Sequence, residues 1–217
     1  MPKRVQKAFD NTAEVALRAG FASFAGIDEA GRGCLAGPVC AAAVIMPERD
    51  FALSGINDSK KLARSRREEL YHFITSNAVS YAVSFVPAEV IDEINILQAT
   101  FLAMKQAVEQ LNPQPELLLI DGNRFAKGYD RPYKTIIKGD SLCISIAAAS
   151  ILAKVERDRF MMRIAEELPE EFDFAHNVGY GVQKHLEAIA IYGPTKYHRR
   201  SFLKKRLDAR GSQEAFL

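Results

Sequence analysis

The sequence is poor in the groups that most often build special chemistry. Among 217 residues there are three cysteines, Cys34, Cys40 and Cys143, with no C-x-x-C pair. An odd, widely spaced set argues against a disulfide framework and for a reducing, cytoplasmic setting. No apolar run approaches the ~18 residues of a membrane span. The longest, Val39 to Met46, has the length of a strand. Met-Pro-Lys-Arg leads into mixed polar sequence without an apolar h-region, so no signal peptide is expected. Four scattered histidines, His72, His176, His185 and His198, form no H-E-x-x-H, which disfavours a histidine-built zinc site. There is no G-x-x-x-x-G-K-[ST] and hence no P-loop, and we find no internal repeat and no low-complexity segment.

What is present suits one globular domain spanning residues 1–217. Hydrophobic residues make up 48% and charged residues 26%. Lys and Arg total 29 against 27 Asp and Glu, a net charge of +2 that by itself points to no polyanionic partner.

Periodicity gives the elements. A helix is expected over about 4–18, stopped by Gly20, then strands at Phe24–Asp28 and Val39–Met46. Ser65-Arg66-Arg67-Glu68 fits a capping box, so a helix is expected from Ser65 to about Thr75. Val79, Tyr81, Val83 and Phe85 alternate as in a half-buried strand. Val90, Ile94, Leu97, Phe101, Met104, Val108 and Leu111 form one apolar stripe at helical spacing, read as core packing. Leu117–Asp121 reads as a buried parallel strand and 135–137 as a short one. Helices follow over about 144–168 and 182–192. Closely spaced early strands suit antiparallel pairing, and the strand after the long helix suits a parallel crossover. The expected fold class is α/β: a mixed five-stranded sheet flanked by helices, with a C-terminal helical segment.

Acids gather where strands end. Asp28-Glu29-Ala30-Gly31 follows the first strand, Asp121-Gly122 the fourth and Gly139-Asp140 the last. Ligands in α/β sheets collect outside the carboxyl ends of strands. If those ends are neighbours, four carboxylates converge, and like charges that close demand a counter-cation. An all-oxygen donor set suits Mg²⁺ or Mn²⁺. Two such ions about 3.5–4 Å apart can hydrolyse a phosphodiester without a protein nucleophile. Because neighbours on a strand face opposite ways, Asp28 and Glu29 can share a site only if Glu29 lies where the chain is already turning.

Gly31-Arg32-Gly33-Cys34-Leu35-Ala36 formally fits the dinucleotide fingerprint G-x-G-x-x-A. That reading fails, because Gly37-Pro38 and a strand-like run follow where a helix is required, and two acids precede the turn. A turn whose bare backbone approaches a ligand fits better, with Arg32 as a phosphate donor.

At these residues the chain resembles type 2 ribonuclease H, the ribonuclease HII family. The resemblance rests on Gly26-Ile27-Asp28-Glu29-Ala30-Gly31-Arg32-Gly33, Asn57-Asp58-Ser59-Lys60-Lys61-Leu62, Ile120-Asp121-Gly122 and Lys138-Gly139-Asp140-Ser141. It continues through Ala148–Val155 with Arg157-Asp158, Gly179-Tyr180-Gly181 with His185, Gly193-Pro194-Thr195, and His198-Arg199-Arg200-Ser201-Phe202. The resemblance implies a ribonuclease H-like fold. It implies an endonuclease that nicks the RNA strand of RNA–DNA hybrids, and duplex DNA carrying single ribonucleotides. The cut would fall 5′ to the ribonucleotide and leave 3′-hydroxyl and 5′-phosphate ends. Asp28, Glu29, Asp121 and Asp140 match the family's catalytic metal ligands. The Gly31-Arg32-Gly33 backbone matches the segment that senses the ribose 2′-hydroxyl, Tyr180 a tyrosine that packs on the sugar, and Lys60 and Lys61 a phosphate-contacting segment. Val178 and Val182 stand where the family commonly has lysine and threonine, a departure that bears on substrate affinity. The competing functions are a 3′–5′ exonuclease on the same fold and a non-catalytic hybrid-binding module.

Other charged residues have plainer readings. Lys154, Arg157 and Arg159 lie among Glu156 and Asp158, as for intrahelical pairing. His185 reads as a phosphate contact or a solvated face. The terminal Gln213–Leu217 faintly resembles short sliding-clamp peptides. A monomer is expected. Residues 181–217 hold eight basic side chains against three acidic ones, so the near-zero total hides a basic C-terminal segment. Binding to duplex nucleic acid should therefore weaken steeply with salt; an affinity unchanged between low and moderate salt would contradict this.

Overall fold

A computed structural model describes residues 12–47 and 62–204. The elements run α1 (Thr12–Leu17), β1 (Phe24–Ala30), β2 (Val39–Ile45), α2 (Arg64–Asn77), β3 (Ser80–Val86), α3 (Ala88–Glu109), β4 (Leu117–Asp121), β5 (Tyr133–Ile136), α4 (Ile144–Ala165), α5 (Phe174–Asn177) and α6 (Gln183–Tyr192). The sheet order is β3-β2-β1-β4-β5. The hairpin-spaced early strands pair antiparallel, β1 with β2 and β2 with β3. After α3 the chain returns on the far side of β1, and β4 and then β5 add parallel. Among the described residues no helix is long and apolar enough to cross a membrane.

Both sheet faces are covered, which is why β2 (Val-Cys-Ala-Ala-Ala-Val-Ile) is buried throughout. Ala25, Ile27, Ala41, Ala43, Leu118 and Ile120 share one core with α3. On the opposite face Ala42 and Val44 meet α2 and the small-residue stretch Ala147–Ala149 of α4. Those small residues let α4 lie close to the sheet. The limit is reached at Gly26, where a Cβ would sit 2.1 Å from the Ser145 carbonyl carbon.

Several local expectations change. Asn95 interrupts the 90–111 stripe with φ 66° and ψ 162°. Its Oδ1 accepts the N–H groups of Leu97 (3.0 Å) and Gln98 (3.2 Å), as a helix N-cap would, so α3 is two helical runs joined end to end. The capping box does not form. The N-cap of α2 is Ala63, without a side-chain bond, because Glu68 instead pairs with Arg159 of α4 at 2.6 Å. In β3 the buried residues are Ala82, Ser84 and Val86, on the opposite alternation, while Tyr81 is exposed. The first helix is described only from Thr12, and residues 4–11 lie outside the described residues.

The start of α4 is capped from far away. Its own N-cap, Cys143, makes no side-chain bond. The buried Glu14 of α1 fills the role, accepting the Ser145 N–H at 2.8 Å and the Ser145 hydroxyl at 2.5 Å. Glu14→Ala would leave two buried donors unsatisfied, at a cost of about 1–3 kcal/mol. At roughly 2–4 °C per kcal/mol for a chain this size, the thermal midpoint should fall by several degrees. A midpoint within a degree of the wild type would contradict the assignment.

Candidate active site

The parallel register of β1 and β4 ends at Ile27 opposite Ile120. One step further stand Asp28 and Asp121. Phe24, Leu117 and Leu119 pack together on the α4 side of the sheet, and strand alternation puts both acids on that face. Asp28 is 5% exposed. Its Oδ1 accepts the Glu29 N–H at 2.7 Å, and the Ser150 hydroxyl of α4 bonds to its carboxylate. Burial, then the negative charges of Glu29 and Asp121, hold its pKa well above the usual carboxylate range despite those bonds.

Asp121 is tied to the next element. Its Oδ1 accepts the Gly139 N–H at 2.7 Å. That residue opens a 3₁₀ turn, Gly139–Ser141, which holds the buried Asp140. Lys138, left-handed at φ 59°, makes the bend that leads into it. Asp140 is thus four residues beyond the end of β5, rather than at the strand end itself. Glu29 also departs from expectation. It stays in β1, in register with Ala41, and does not lie at a turning exit. Its charge still bears on Asp28, it lines the pocket beside the acids, and its carboxylate pairs with Arg32 at 3.2 Å. Arg32 therefore faces an acid on one side, while its half-exposed side chain is also open to solvent. Electrostatically Asp28, Glu29 and Asp121 are neighbours, while among the described residues no three acid, histidine or cysteine side chains form a ready-made ion cage.

Beside the acids, a pocket of about 190 Å³ is lined by Glu29, residues 30–33, Ser150, Lys154 and Tyr180. The turn and the tyrosine, 150 residues apart in sequence, are thus brought together. Tyr180 is 44% exposed, and its hydroxyl bonds to the buried Cys34. Lys154 Nζ lies 5.9 Å from the Tyr180 ring centre and pairs with Asp158 at 2.8 Å. Lys60 and Lys61 lie outside the described residues, as does Gln213–Leu217.

Sequence reasoning missed two arginines. Arg157 and Arg199 are 1% and 0% exposed, and their guanidinium groups bond to backbone carbonyls of residues 31–38 and 178. Intrahelical pairing holds for Lys154 with Asp158 and Arg159 with Glu156, but not for Arg157. A signal existed: Arg157, Met161 and Ile164 recur at helical spacing on the buried stripe of α4. His185 is neither a phosphate contact nor solvated. It is fully buried, with Nδ1 2.8 Å from the Tyr180 carbonyl and Nε2 3.0 Å from His198 Nε2. Since a carbonyl only accepts, His185 Nδ1 carries a proton. Its Nε2 then accepts from His198 Nε2–H, and His198 Nδ1 accepts the Thr195 N–H at 2.9 Å. Burial, then the neighbouring His185, push His198 down to about 4, so His198 stays neutral.

The family model for Ribonuclease HII matches residues 25–205. The chain belongs to the ribonuclease HII family. Membership makes it an enzyme, a hydrolase acting on the RNA of RNA–DNA hybrids. It is 54% identical over 186 residues to the ribonuclease HII of Chloroherpeton thalassium, covering 84% of this chain and 90% of that one. Against the Chlorobium luteolum enzyme it is 52% identical over 202 residues, 91% and 97% of the two chains. Among solved structures, ribonuclease H2 from Pyrococcus horikoshii OT3 superposes with a TM-score of 0.69 at 24% identity, over 82% of this chain and 93% of that one. The ribonuclease HII of Archaeoglobus fulgidus, solved as a complex with PCNA, gives 0.68 at 29% identity over the same shares. The fold is thus that of the ribonucleases H2.

Asp28 is nearly out of reach of solvent, and among the described residues no cation offsets its charge. Replacing it with Asn keeps the acceptor and removes a buried charge facing two others. In EDTA at neutral pH, Asp28→Asn should melt several degrees above the wild type, and a lower midpoint would contradict the electrostatic account.

Proposed function

We propose that the protein is a metal-dependent endonuclease that nicks RNA–DNA hybrids, and duplex DNA with single ribonucleotides, 5′ to the ribonucleotide. The products are a 3′-hydroxyl and a 5′-phosphate. The observation that carries this reading is the buried Asp28 held among Glu29 and Asp121 at the edge of a pocket walled by a bare glycine turn and an aromatic ring. Burial and neighbouring acids disfavour the charged form of Asp28, and a hard divalent cation supplies the missing counter-charge. The donor set, Asp28, Glu29, Asp121 and Asp140, is all oxygen and fits Mg²⁺ or Mn²⁺. With substrate present these four residues would hold two such ions, which supply Lewis-acid activation of water and neutralise charge at the phosphate.

The remaining work falls to the chain itself. The Gly31–Gly33 backbone approaches the ribose and reads its 2′-hydroxyl, the group that separates RNA from DNA. Tyr180, half exposed on the opposite wall, packs on the adjoining sugar, a contact that tolerates any base sequence. Ser150 and the Glu29 N–H orient the Asp28 carboxylate, and the Gly139 N–H orients that of Asp121. Three free, buried thiols support a reducing, cytoplasmic setting. The PCNA complex of the archaeal relative supports a sliding-clamp contact of this chain through Gln213–Leu217.

The deciding experiment uses an end-labelled duplex with one embedded ribonucleotide. With Mg²⁺ or Mn²⁺ the cut should map to the 5′ side of the ribonucleotide, and Asp121→Asn should slow it on the order of a hundredfold or more. Mn²⁺ should also raise the melting temperature of the wild type but not of Asp121→Asn, a readout independent of turnover. Ladder-like trimming from a 3′ end would point to an exonuclease instead, and folded protein that binds without cutting would point to a hybrid-binding module.

A further inference from the structure

Two buried cations surround the glycine turn, and neither forms an ion pair among the described residues. Arg199 donates from Nη2 to Gly31 O at 2.8 Å, from Nη1 to Arg32 O at 2.9 Å and from Nε to Gly37 O at 3.0 Å. Arg157 donates from Nε to Pro38 O at 3.0 Å, from Nη2 to Ala36 O at 3.1 Å and from Nη1 to Val178 O at 3.0 Å. A guanidinium has donors and no acceptor, so once buried it can be satisfied only by oxygen. It therefore dictates which way the surrounding peptides face.

Peptide planarity carries that constraint outward. In a trans peptide the C=O and N–H point in opposite directions. Arg199 draws the carbonyls of Gly31 and Arg32 inward, so the N–H groups of Arg32 and Gly33 must face away. The other amides of the segment are consumed internally: Cys34 N–H on Gly31 O, Leu35 and Ala36 N–H on Gly179 O, and Gly37 N–H on Tyr197 O. Among the described residues the Arg32 and Gly33 N–H groups have no protein acceptor, and their residues line the pocket beside Tyr180. Gly31 is held to glycine by the other arginine, since a Cβ there would lie 1.9 Å from Arg157 Nε.

We propose that Arg199, seconded by Arg157, is the positioning residue for ribose selection: by taking the turn's carbonyls it fixes two adjacent N–H donors toward the nucleotide. The proposal rests on the reading of Gly31–Gly33 as the 2′-hydroxyl sensor. A ribose 2′-oxygen accepts from such donors, whereas a deoxyribose offers only C–H and leaves them unsatisfied. Lysine cannot replace the fork, because a single ammonium is a point donor and cannot span the three carbonyls that the guanidinium reaches.

The test compares the affinities of one protein for two duplexes, identical except for one ribonucleotide, in calcium so that neither is cut. The readout is the ratio of the two affinities, which does not depend on the fraction of protein folded. Arg199→Lys should lower the wild-type ratio roughly five- to tenfold, the worth of one or two neutral hydrogen bonds. A fall in both affinities with the ratio preserved is the mark of a merely structural role and overturns the proposal. A wild type with no ribose preference would instead overturn the sensor reading beneath it. If Arg199→Lys does not fold, amide hydrogen exchange on the wild type decides. The Arg32 and Gly33 amides should be protected by the ribonucleotide duplex and not by the all-DNA one, and equal protection by both overturns the proposal.

Discussion

The close approach of α4 to β1 is the constraint on which the rest depends. Gly26 permits it by having no side chain where the Ser145 backbone passes. Glu14 secures it by capping the helix from the opposite end of the chain. With the helix fixed, its successive turns become a ruler along the site. Ser150 reaches Asp28, Lys154 stands beside Tyr180, Arg157 grips the Ala36 and Pro38 carbonyls, and Met161 fills the space against Gly37 and Gly179. A displacement of the helix start by the ~1.5 Å of one carbon–carbon bond would therefore move acids, pocket wall and glycine turn together.

The features legible in the sequence are those with a period or a fixed neighbour. Alternation and apolar runs located all five strands, and strand spacing separated the antiparallel early pairings from the parallel later ones. Asp28, Glu29, Asp121 and Asp140 stood out as candidates because acids recur near glycine after apolar runs, and the first three are electrostatic neighbours in the fold. What stayed hidden has a common physical cause: its partners are backbone atoms or distant side chains, which leave no residue-type signature. Arg157 and Arg199 bond to carbonyls, His185 bonds to one, and Asn95 caps a helix inside an unbroken apolar stripe. Ser65 and Glu68 had the right spacing for a cap, yet Arg159 from another helix offered Glu68 a charged partner. Both choices open to Glu68 are charge-assisted, but only the one with Arg159 joins two opposite full charges.

Charge shows the same gap between sequence and fold. Residues 181–217 carry an excess of basic side chains, but the described ones are not all available to a polyanion. Arg199 is spent on the glycine turn, with burial pushing it down to about 10, still protonated at neutral pH. Lys184 faces Asp173 at 3.2 Å and Lys196 faces Glu167 at 3.8 Å. Both pairs are solvent-screened and can be exchanged for phosphate at little cost. Arg200 is placed by its backbone, where Asp92 accepts the Arg200 and Ser201 N–H groups at 2.7 and 3.0 Å and starts a helix there. The segment thus contributes direction as much as net charge.

The two valines that depart from the family pattern sit at positions whose backbone matters more than their side chains. Val178 is held left-handed at φ 42° and ψ 37°, a costly conformation for a β-branched residue. Its carbonyl accepts from Arg157, and the following Gly179 carbonyl accepts from Leu35 and Ala36. The strain persists because the turn opposite needs that carbonyl where it is, and because Val178 packs against the cluster of Phe172, Phe174 and Ala188. Val182 is the N-cap of α6 and makes no side-chain bond there. A threonine at that position would be placed to cap the helix, a contribution of about 1 kcal/mol. Its loss falls on α6, which carries His185 and through it the Tyr180 carbonyl. The effect of both departures is thus transmitted to the pocket wall through the backbone around Tyr180, and not through a missing phosphate contact alone.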